Sequence, residues 1–396
     1  MPDARSGLSL AIAGGKPAFT NPLHVGQPNI GDGSKLQEML AEILERRWLT
    51  NHGPVVQQFE QRIESMLEVK HCVAVCNATI GLQLLVRALG LYGEVIVPSF
   101  TFSASAQALA WCGLTPVFCD VEPEYHTIDA AKIEPLINEN TSGILGVHLW
   151  GNACNVDKLG AVGKSHGLKV MYDSAHAFGC AMGGKRIGNF GDAEVFSFHA
   201  TKYVNSFEGG VVTTNSDELA EKLRLTCNFG FKNGQVECLG TNAKMSEISA
   251  AMGIVSLDAV ETFSAVNLRN RNLYAQNLRA IDGIRLVPVS EDEFHNRQYI
   301  VIEIDEAVTN LSRDQLLSVL HAENVLARRY FHPGCHEIEP FVSDLPDVTD
   351  RLPVTLRLCD TVLALPTGTG VSLESVDRVC EIIRTAVEHA DLISSL

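Results

Sequence analysis

The sequence has too few basic residues for a general nucleic-acid binder and no apolar stretch long enough for a membrane helix. Lysine and arginine number 31 against 47 aspartates and glutamates, which gives a formal net charge of −16. Neutralising a phosphate backbone needs clustered lysine and arginine, and a membrane helix needs about 18 consecutive apolar residues. We therefore expect no nucleic-acid and no membrane partner, and an anionic substrate could bind only in a local basic pocket.

Signals for export, for disulfides and for zinc are also missing. The first ten residues carry Asp3 and Arg5 and have no compact apolar core before a small-residue cleavage site, so we expect no signal peptide. The 11 cysteines are odd in number and scattered, and the closest pair, Cys72 and Cys76, has no second pair elsewhere. This usage favours reduced thiols, a cytoplasmic location and no metal site.

What is present is the composition of a globular chain with a large core. Hydrophobic residues make up 46% of the 396 positions, charged residues make up 20%, and the mean hydropathy is +0.08. Disordered chains lack this much apolar surface. From residue 34 onward, short apolar strands alternate with helical patterns. This alternation predicts an α/β fold with a mostly parallel sheet covered on both faces.

The chain is predicted to form two domains. Residues 1–265 form a large domain with an N-terminal arm at 1–33, and residues 266–396 form a smaller C-terminal α+β domain. The part of the arm from residue 8 onward is rich in Gly and Pro. It is too apolar for a free tail, so it is expected to pack on the body or on a neighbouring molecule.

Two helix starts are predicted from capping residues. Ser34 is expected to cap a helix whose apolar side chains, from Leu36 to Leu44, follow helical spacing. Asp129 is expected to cap a second helix that continues through Ile137.

Three segments that follow predicted strands carry residues with chemical potential, and ligands of open α/β sheets bind where strands end. Thr79 and its neighbours start a helix, whose free N–H groups suit an anion, although a simple N-cap explains them as well. Asp173 either holds a cationic nitrogen or caps a turn. Lys202 lies between two apolar strands and is either a nucleophile of lowered pKa or a surface loop lysine.

Together the three segments fit the needs of pyridoxal 5′-phosphate. This cofactor takes a lysine that forms a Schiff base, an acidic partner for its ring nitrogen, and a helix start for its phosphate. Lys202 and Asp173 are therefore the catalytic candidates. Asp173 would keep the ring nitrogen protonated, so that the ring can draw electrons from the substrate.

The sequence resembles the DegT/StrS group of nucleotide-sugar aminotransferases from about residue 49 to the C-terminal helix. The matching segments are Leu49-Thr50-Asn51-His52-Gly53-Pro54, Val97-Pro98-Ser99-Phe100-Thr101-Phe102, Ser197-Phe198-His199-Ala200-Thr201-Lys202 and Glu208-Gly209-Gly210. The resemblance implies fold type I of the pyridoxal-phosphate-dependent transferases, which is aspartate-aminotransferase-like. This fold has a large domain with a mostly parallel mixed sheet and a smaller C-terminal α+β domain.

The resemblance also implies roles for residues around the cofactor. Lys202 matches the Schiff-base lysine and proton shuttle, and Asp173 matches the partner of the pyridine nitrogen. Phe102 matches the aromatic residue that stacks on the ring. His176 stands where the family usually has Gln, beside the ring hydroxyl, and introduces a group that titrates near neutral pH. The residues that match the phosphate site are Ala78, Thr79 and Ser197.

Other matches concern the neighbouring subunit and the substrate. Asn242 matches an asparagine that reaches the phosphate of the neighbouring subunit's cofactor, which implies a homodimer with shared active sites. Lys244 stands where the family usually has Arg, and Tyr203 replaces the usual Asn after the lysine.

The segment from residue 327 to 336 looks like that of members acting on dTDP-4-keto-6-deoxyhexoses, in antibiotic deoxysugar or surface-polysaccharide pathways. Two adjacent arginines among aromatic residues and histidines form either a local site for a diphosphate or for the amino donor's carboxylate, or a solvated turn. The candidate substrate residues are Arg328, Arg329, Tyr330, His332 and Lys244.

The implied activity is transamination of a nucleotide-linked keto-deoxysugar with L-glutamate as amino donor. The favoured substrate is dTDP-4-keto-6-deoxyglucose, which would become the 4-amino sugar. A 3-keto sugar or a cyclic keto-inositol is the nearest alternative, and the nucleotide stays open among dTDP, UDP and GDP. A non-catalytic regulatory protein that binds pyridoxal phosphate is an alternative of another class. A dehydratase branch of the family has His in place of the lysine, so Lys202 favours transamination.

Overall fold

The computed structural model describes residues 10–290, 294–345 and 348–395. Within these ranges the strands are β1 (Leu23–His24), β2 (His71–Val75), β3 (Glu94–Pro98), β4 (Thr115–Cys119), β5 (Thr141–Val147), β6 (Lys169–Asp173), β7 (Ala181–Met182), β8 (Lys185–Arg186), β9 (Ala193–Ser197), β10 (Gly210–Thr214), β11 (Phe231–Lys232), β12 (Gln235–Val236), β13 (Ile284–Leu286), β14 (Ile300–Ile304), β15 (Val325–Leu326) and β16 (Val362–Leu365).

The α-helices in the same ranges are α1 (Gly33–Arg46), α2 (Pro54–Leu67), α3 (Ala78–Leu89), α4 (Ser103–Trp111), α5 (Val156–His166), α6 (Asp217–Cys227), α7 (Glu247–Asp258), α8 (Val260–Leu278), α9 (Glu306–Thr309), α10 (Arg313–Ala322), α11 (Phe341–Asp344), α12 (Pro353–Thr361), α13 (Leu373–Glu388) and α14 (Ala390–Ile393).

A seven-stranded sheet with the order β2-β10-β9-β6-β5-β3-β4 forms the centre of the molecule. The neighbours from β9 to β4 run parallel, and β10 is antiparallel to both of its neighbours. The strands are buried along nearly their whole length, as expected for a sheet with helices on both faces. The predicted α/β fold with a mostly parallel mixed sheet is confirmed.

The topology brings the candidate residues to one edge of this sheet. Because β10 is antiparallel to both β2 and β9, those two strands point the same way as β6. Their carboxyl ends therefore meet at the same edge. Asn77 follows β2, Asp173 ends β6 and Ser197 ends β9. Ligands of open α/β sheets bind at this edge.

A second sheet, with the antiparallel order β13-β14-β16, packs with α10 and α13 around a separate core. Leu10 and Leu23 of the N-terminal arm lie in that core, and β1 pairs with β15 in parallel. The described part of the arm thus packs on the body, and residues 1–9 lie outside the described residues. Helix α8 crosses residue 265, and the division into 1–265 and 266–396 stays a proposal.

Two helix starts differ from the sequence prediction. Asp32, rather than Ser34, caps α1, because its carboxylate reaches the N–H groups of Ser34 at 2.9 Å and Lys35 at 3.2 Å, the donors that an N-cap satisfies. Asp129 caps only the short 3-10 helix Ala130–Lys132. The expected helix through Ile137 is interrupted because Pro135 has no N–H to donate and its ring crowds the preceding turn.

Among the described residues, no single helix combines the length and the apolar character of a membrane span. The pair α7 and α8, bent by 58°, reaches both only when the two helices are counted together, by length and composition alone.

Candidate active site

A cavity of about 610 Å³ opens at the edge of the sheet where the candidate strands end. It brings together nine of the residues that the sequence singled out: Ala78, Thr79, Phe102, Asp173, His176, Ser197, Lys202, Arg328 and Tyr330. Most of these come from loops that follow the strands. Arg328 and Tyr330 enter from the segment after β15, so the cavity lies between the two sheets.

Lys202 lies in the loop between β9 and β10, and its amine points into the cavity. Its Nζ lies 3.3 Å from the hydroxyl oxygen of Tyr299. Burial lowers the pKa of Lys202 from 10.5 to about 8, although the negative charge of Asp173 opposes this shift. A substantial fraction of the amine is therefore neutral near physiological pH, as a nucleophile or a general base requires.

Asp173 is a buried carboxylate at the end of β6. Its Oδ2 accepts a hydrogen bond from the Ser105 hydroxyl at 2.8 Å, and its Oδ1 accepts one from the Ala175 N–H at 3.1 Å. Burial raises the pKa of Asp173, while both hydrogen bonds and the positive charge of Lys202 oppose that rise. A carboxylate held this firmly in a buried place suits a cationic nitrogen.

The start of α3 offers unpaired N–H groups to an anion. The Asn77 side chain caps the helix by accepting from the Ile80 N–H at 2.9 Å. The N–H groups of Ala78 and Thr79 have no hydrogen-bond partner in the described part of the chain. Gly210 lets β10 approach closely, because a Cβ there would come within 2.7 Å of the Ala78 nitrogen. The helix start is therefore an open cradle for a phosphate.

His176 is a buried side chain in the cavity wall. Its ring stacks on that of Trp150, with 5.5 Å between the ring centroids, and its centroid lies 4.2 Å from that of the Tyr299 ring. Its Nδ1 has no hydrogen-bond partner among the residues described. Burial, together with the charge of Lys202, lowers the pKa of His176 well below its usual value. The sequence suggested a group titrating near neutral pH, but desolvation keeps the imidazole neutral there.

Several predicted residues lie away from this cavity. Asn242 is exposed on the segment that pairs with residue 228, and Lys244 donates to the side chain of Asn228 at 2.9 Å. Arg329 faces Asp314 at 3.4 Å, and His332 lies 3.9 Å from a carboxylate oxygen of Asp360. Within one chain, these four side chains do not line the cavity with Lys202.

The prediction missed other residues of the cavity wall. Tyr299 contacts the amine of Lys202, Ser105 holds Asp173, and Phe331 packs beside Trp150 at 5.2 Å. Tyr299 precedes a nearly continuous apolar strand, Ile300–Ile304, where an aromatic residue is usually part of the core. Phe102, which was predicted to stack on the cofactor, is 59% exposed at the cavity.

Comparison with known proteins assigns the family. Residues 31–384 match the DegT/DnrJ/EryC1/StrS aminotransferase family. The chain belongs to this family. The chain is therefore an enzyme, an aminotransferase, and its cofactor is pyridoxal 5′-phosphate.

Individual relatives of this aminotransferase cover nearly its whole length. A dTDP-4-amino-4,6-dideoxy-D-glucose transaminase of Shigella dysenteriae is 35% identical over 92% of this chain and 98% of its own. A dTDP-3-amino-3,6-dideoxy-alpha-D-galactopyranose transaminase of Aneurinibacillus thermoaerophilus is 31% identical over 91% and 98%. The crystal structure of DesI in the presence of its TDP-sugar product is 45% identical, with a TM-score of 0.93 and 98% of each chain covered.

The backbone and side-chain groups in the cavity of the aminotransferase fit the cofactor. The unpaired N–H groups at the start of α3 suit its phosphate, and the buried carboxylate of Asp173 suits a protonated ring nitrogen. The unpartnered Nδ1 of His176 is a hydrogen-bonding atom available to a polar group of the ring. Lys202 supplies the amine in the same cavity.

Proposed function

We propose that the enzyme transfers the amino group of L-glutamate to C4 of dTDP-4-keto-6-deoxyglucose. The observation that carries the proposal is the cavity whose lining brings together Lys202, with its pKa lowered to about 8, the buried Asp173 and the exposed Arg328. The choice of sugar is supported by the relative named for a dTDP-4-amino sugar and by DesI, whose structure was determined with its TDP-sugar product.

The residues would share the work as follows. When bound, pyridoxal phosphate provides an electron sink for the negative charge that develops on the donor's α-carbon. The neutral amine of Lys202 would take the proton from that carbon and pass it on to the cofactor carbon, so that the amino group stays with the cofactor when the keto acid leaves. Asp173 holds the ring nitrogen in its protonated form, and the N–H groups of Ala78 and Thr79 hold the phosphate. The stacked and buried ring of His176 limits access of water beside the amine.

Of the two adjacent arginines, we assign the substrate contact to Arg328. Its guanidinium lines the cavity and lies 3.4 Å from the hydroxyl of Tyr330. Within the described ranges it has no carboxylate partner, whereas Arg329 faces Asp314. An unpaired guanidinium at the opening suits the diphosphate of the sugar or the carboxylate of the donor. Arg329, His332 and Lys244 would contribute only through another subunit or a rearrangement.

The proposal includes a homodimer with shared active sites. The segment that carries Asn242 also carries exposed apolar side chains, with Phe229 at 45%, Phe231 at 49% and Leu239 at 84% exposure. Clustered exposed apolar residues of this kind mark interaction surfaces. A second copy covering this segment would bring Asn242 towards the neighbouring cavity.

We further propose a cytoplasmic enzyme of deoxysugar biosynthesis, of the kind that supplies antibiotic pathways. The eleven cysteines all lie in the described ranges and form no disulfide there, which supports a reducing compartment. The antibiotic context is supported only by the likeness of the segment from residue 327 to 336.

The experiment that tests the function is an end-point assay. The purified protein is incubated with pyridoxal phosphate, L-glutamate and dTDP-4-keto-6-deoxyglucose, and the product is identified by mass spectrometry and NMR, with Lys202→Ala as control. An amine at C4, absent with the control, is expected. A spectral change of the cofactor with L-glutamate but no amino sugar would reject the substrate, and an amine only from a 3-keto sugar would favour the activity named for the Aneurinibacillus relative. No spectral change would reject transamination.

A further inference from the structure

Strand β14 and the residue before it connect the cavity to the buried pair of His126 and Glu303. Tyr299, Val301 and Glu303 alternate along the chain and share one face of the strand. At one end, the Tyr299 hydroxyl lies 3.3 Å from Nζ of Lys202. At the other end, a carboxylate oxygen of Glu303 lies 2.8 Å from Nε2 of His126. Strand geometry separates these two positions by roughly 13 Å.

Trp150 and His126 are joined by a hydrogen bond whose direction is fixed. The indole Nε1 of Trp150 lies 3.2 Å from Nδ1 of His126. An indole N–H can only donate, so Nδ1 of His126 is the acceptor and carries no proton. The proton of the neutral imidazole is therefore on Nε2, where it is donated to Glu303. The tautomer of the fully buried His126 is fixed by its two partners.

The carboxylate of Glu303 stays ionised. Burial of Glu303 opposes its charge, but hydrogen bonds from His126 and from Arg357 at 2.7 Å outweigh burial and lower the pKa of Glu303 to about 2. Arg285 also contacts this carboxylate. Glu303 therefore remains an ionised acceptor for the His126 N–H near neutral pH.

The Trp150 indole supports the rings that line the cavity. It stacks on Phe331 with an interplanar angle of 10° and on His176 with an angle of 23°. It also contacts the ring of Tyr299 at 5.4 Å. A displacement of the indole would displace these rings, because protein interiors are close-packed.

We propose that Glu303, His126 and Trp150 are positioning residues that hold Tyr299, and that the Tyr299 hydroxyl holds the amine of Lys202 whenever that amine is free. The inference rests on the proposed role of Lys202 in transamination. Within the described residues, Tyr299 is the one hydrogen-bond partner of the Lys202 amine. A lysine side chain has four flexible carbons, so without this contact the amine would sample several positions.

The protonation states suit this role. Burial raises the pKa of Tyr299 well above its usual value, so the side chain remains a hydroxyl. An N–H of the neutral Lys202 amine donates to the hydroxyl oxygen, and the lone pair of the nitrogen stays available. That lone pair accepts the proton from the donor's α-carbon, and no oxidant or further reactant is required.

The test compares Tyr299→Phe and Trp150→Phe with His126→Leu in the enzyme loaded with cofactor. The matched control is Tyr203→Phe, because the hydroxyl of Tyr203 donates to the carbonyl of Val260 at 3.0 Å, away from the cavity. His126→Gln, which can still accept from the indole and donate to the carboxylate, serves as the conservative variant. Three quantities are measured: the pH titration of the cofactor's visible absorbance, kcat and KM for L-glutamate, and the thermal unfolding midpoint.

Tyr299→Phe is expected to lower kcat by about tenfold to a hundredfold, as loss of a hydrogen bond to a charged or reacting group does. KM should stay within about twofold, and the absorbance titration should shift by about half a pH unit or more. Trp150→Phe and His126→Leu should shift the titration in the same direction, and His126→Gln should restore most of it.

The proposal is overturned if Tyr299→Phe matches the Tyr203→Phe control in both kcat and titration. It is also overturned if the Trp150 and His126 variants change only the unfolding midpoint, since the contacts from Glu303 to Tyr299 would then be purely structural. The absorbance titration and the kinetics with L-glutamate are compared among variants of the same enzyme, and the titration needs no sugar, so a wrong sugar assignment leaves this test intact. Absence of any spectral change with L-glutamate in the unmodified enzyme would instead refute the proposed transamination.

Discussion

The lowered pKa of Lys202 predicts how the rate of one half-reaction depends on pH. Burial brings this pKa from 10.5 to about 8, against the pull of Asp173. At pH 7.5 an amine of pKa 10.5 is neutral in about 0.1% of molecules, and one of pKa 8 in about 24%. The fold therefore raises the population of the base form roughly 200-fold at this pH.

The assay uses enzyme that already carries the amino group of the donor, so that Lys202 is free. It is mixed with excess 2-oxoglutarate, and the single-turnover rate is followed from pH 6 to pH 10. Because only the neutral amine can accept a proton, the rate should rise with pH through a midpoint of about 8 and then reach a plateau. Below the midpoint it should fall about tenfold per pH unit.

The control is Lys202→Ala with small primary amines added to the solution. The rescued rate should follow the pKa of the added amine, and the step near pH 8 should disappear. A midpoint near 10.5 in the unmodified enzyme would refute the inference that burial tunes this amine. A rate independent of pH over the whole range would show that proton transfer by Lys202 does not limit this half-reaction.

Three further predictions concern other candidate site residues. Asp173→Asn should retain the fold and bind cofactor but lose at least about a hundredfold in kcat, because a neutral amide cannot hold the ring nitrogen protonated; an unchanged kcat would contradict this. Arg328→Gln should raise KM for the sugar or for L-glutamate about tenfold or more, whereas Arg329→Gln, its matched neighbour, should not, and equal effects would contradict the assignment. Mixing Asn242→Ala with Lys202→Ala protein should restore up to roughly a quarter of the activity through hybrid dimers; no recovery would contradict shared sites.

The residues at the ends of strands were predictable because their position in the sheet follows from chain order. A parallel sheet brings the carboxyl ends of its strands to one edge, so Asp173 and Lys202 meet in the cavity as expected. The start of α3 was predictable for the same reason. The helix that was expected after Asp129 was not formed, since Pro135 outweighs the capping signal.

Residues contributed by the second sheet could not be predicted in the same way. Tyr299 reaches Lys202 because β14 packs through Val301 against residues at the end of β5. Such packing is a long-range property that local patterns do not encode. The two adjacent arginines were equivalent in sequence. The structure distinguishes them. The N–H and the carbonyl of Arg328 both bond to the backbone of Ala364, and the Arg328 side chain lines the cavity. Arg329 instead faces Asp314.

The protonation states of the cavity depend on burial, which the sequence alone does not specify. Desolvation lowers the pKa of both Lys202 and His176, and the positive charge of Lys202 lowers the pKa of His176 further. Replacing the family's usual Gln by His at position 176 therefore adds no titrating charge near neutral pH, because the imidazole lies beside a cationic amine in a buried wall. The substitution instead adds a flat ring, which stacks on Trp150 and lies tilted against Tyr299. His176 thereby contacts two of the residues that we infer position the Lys202 amine.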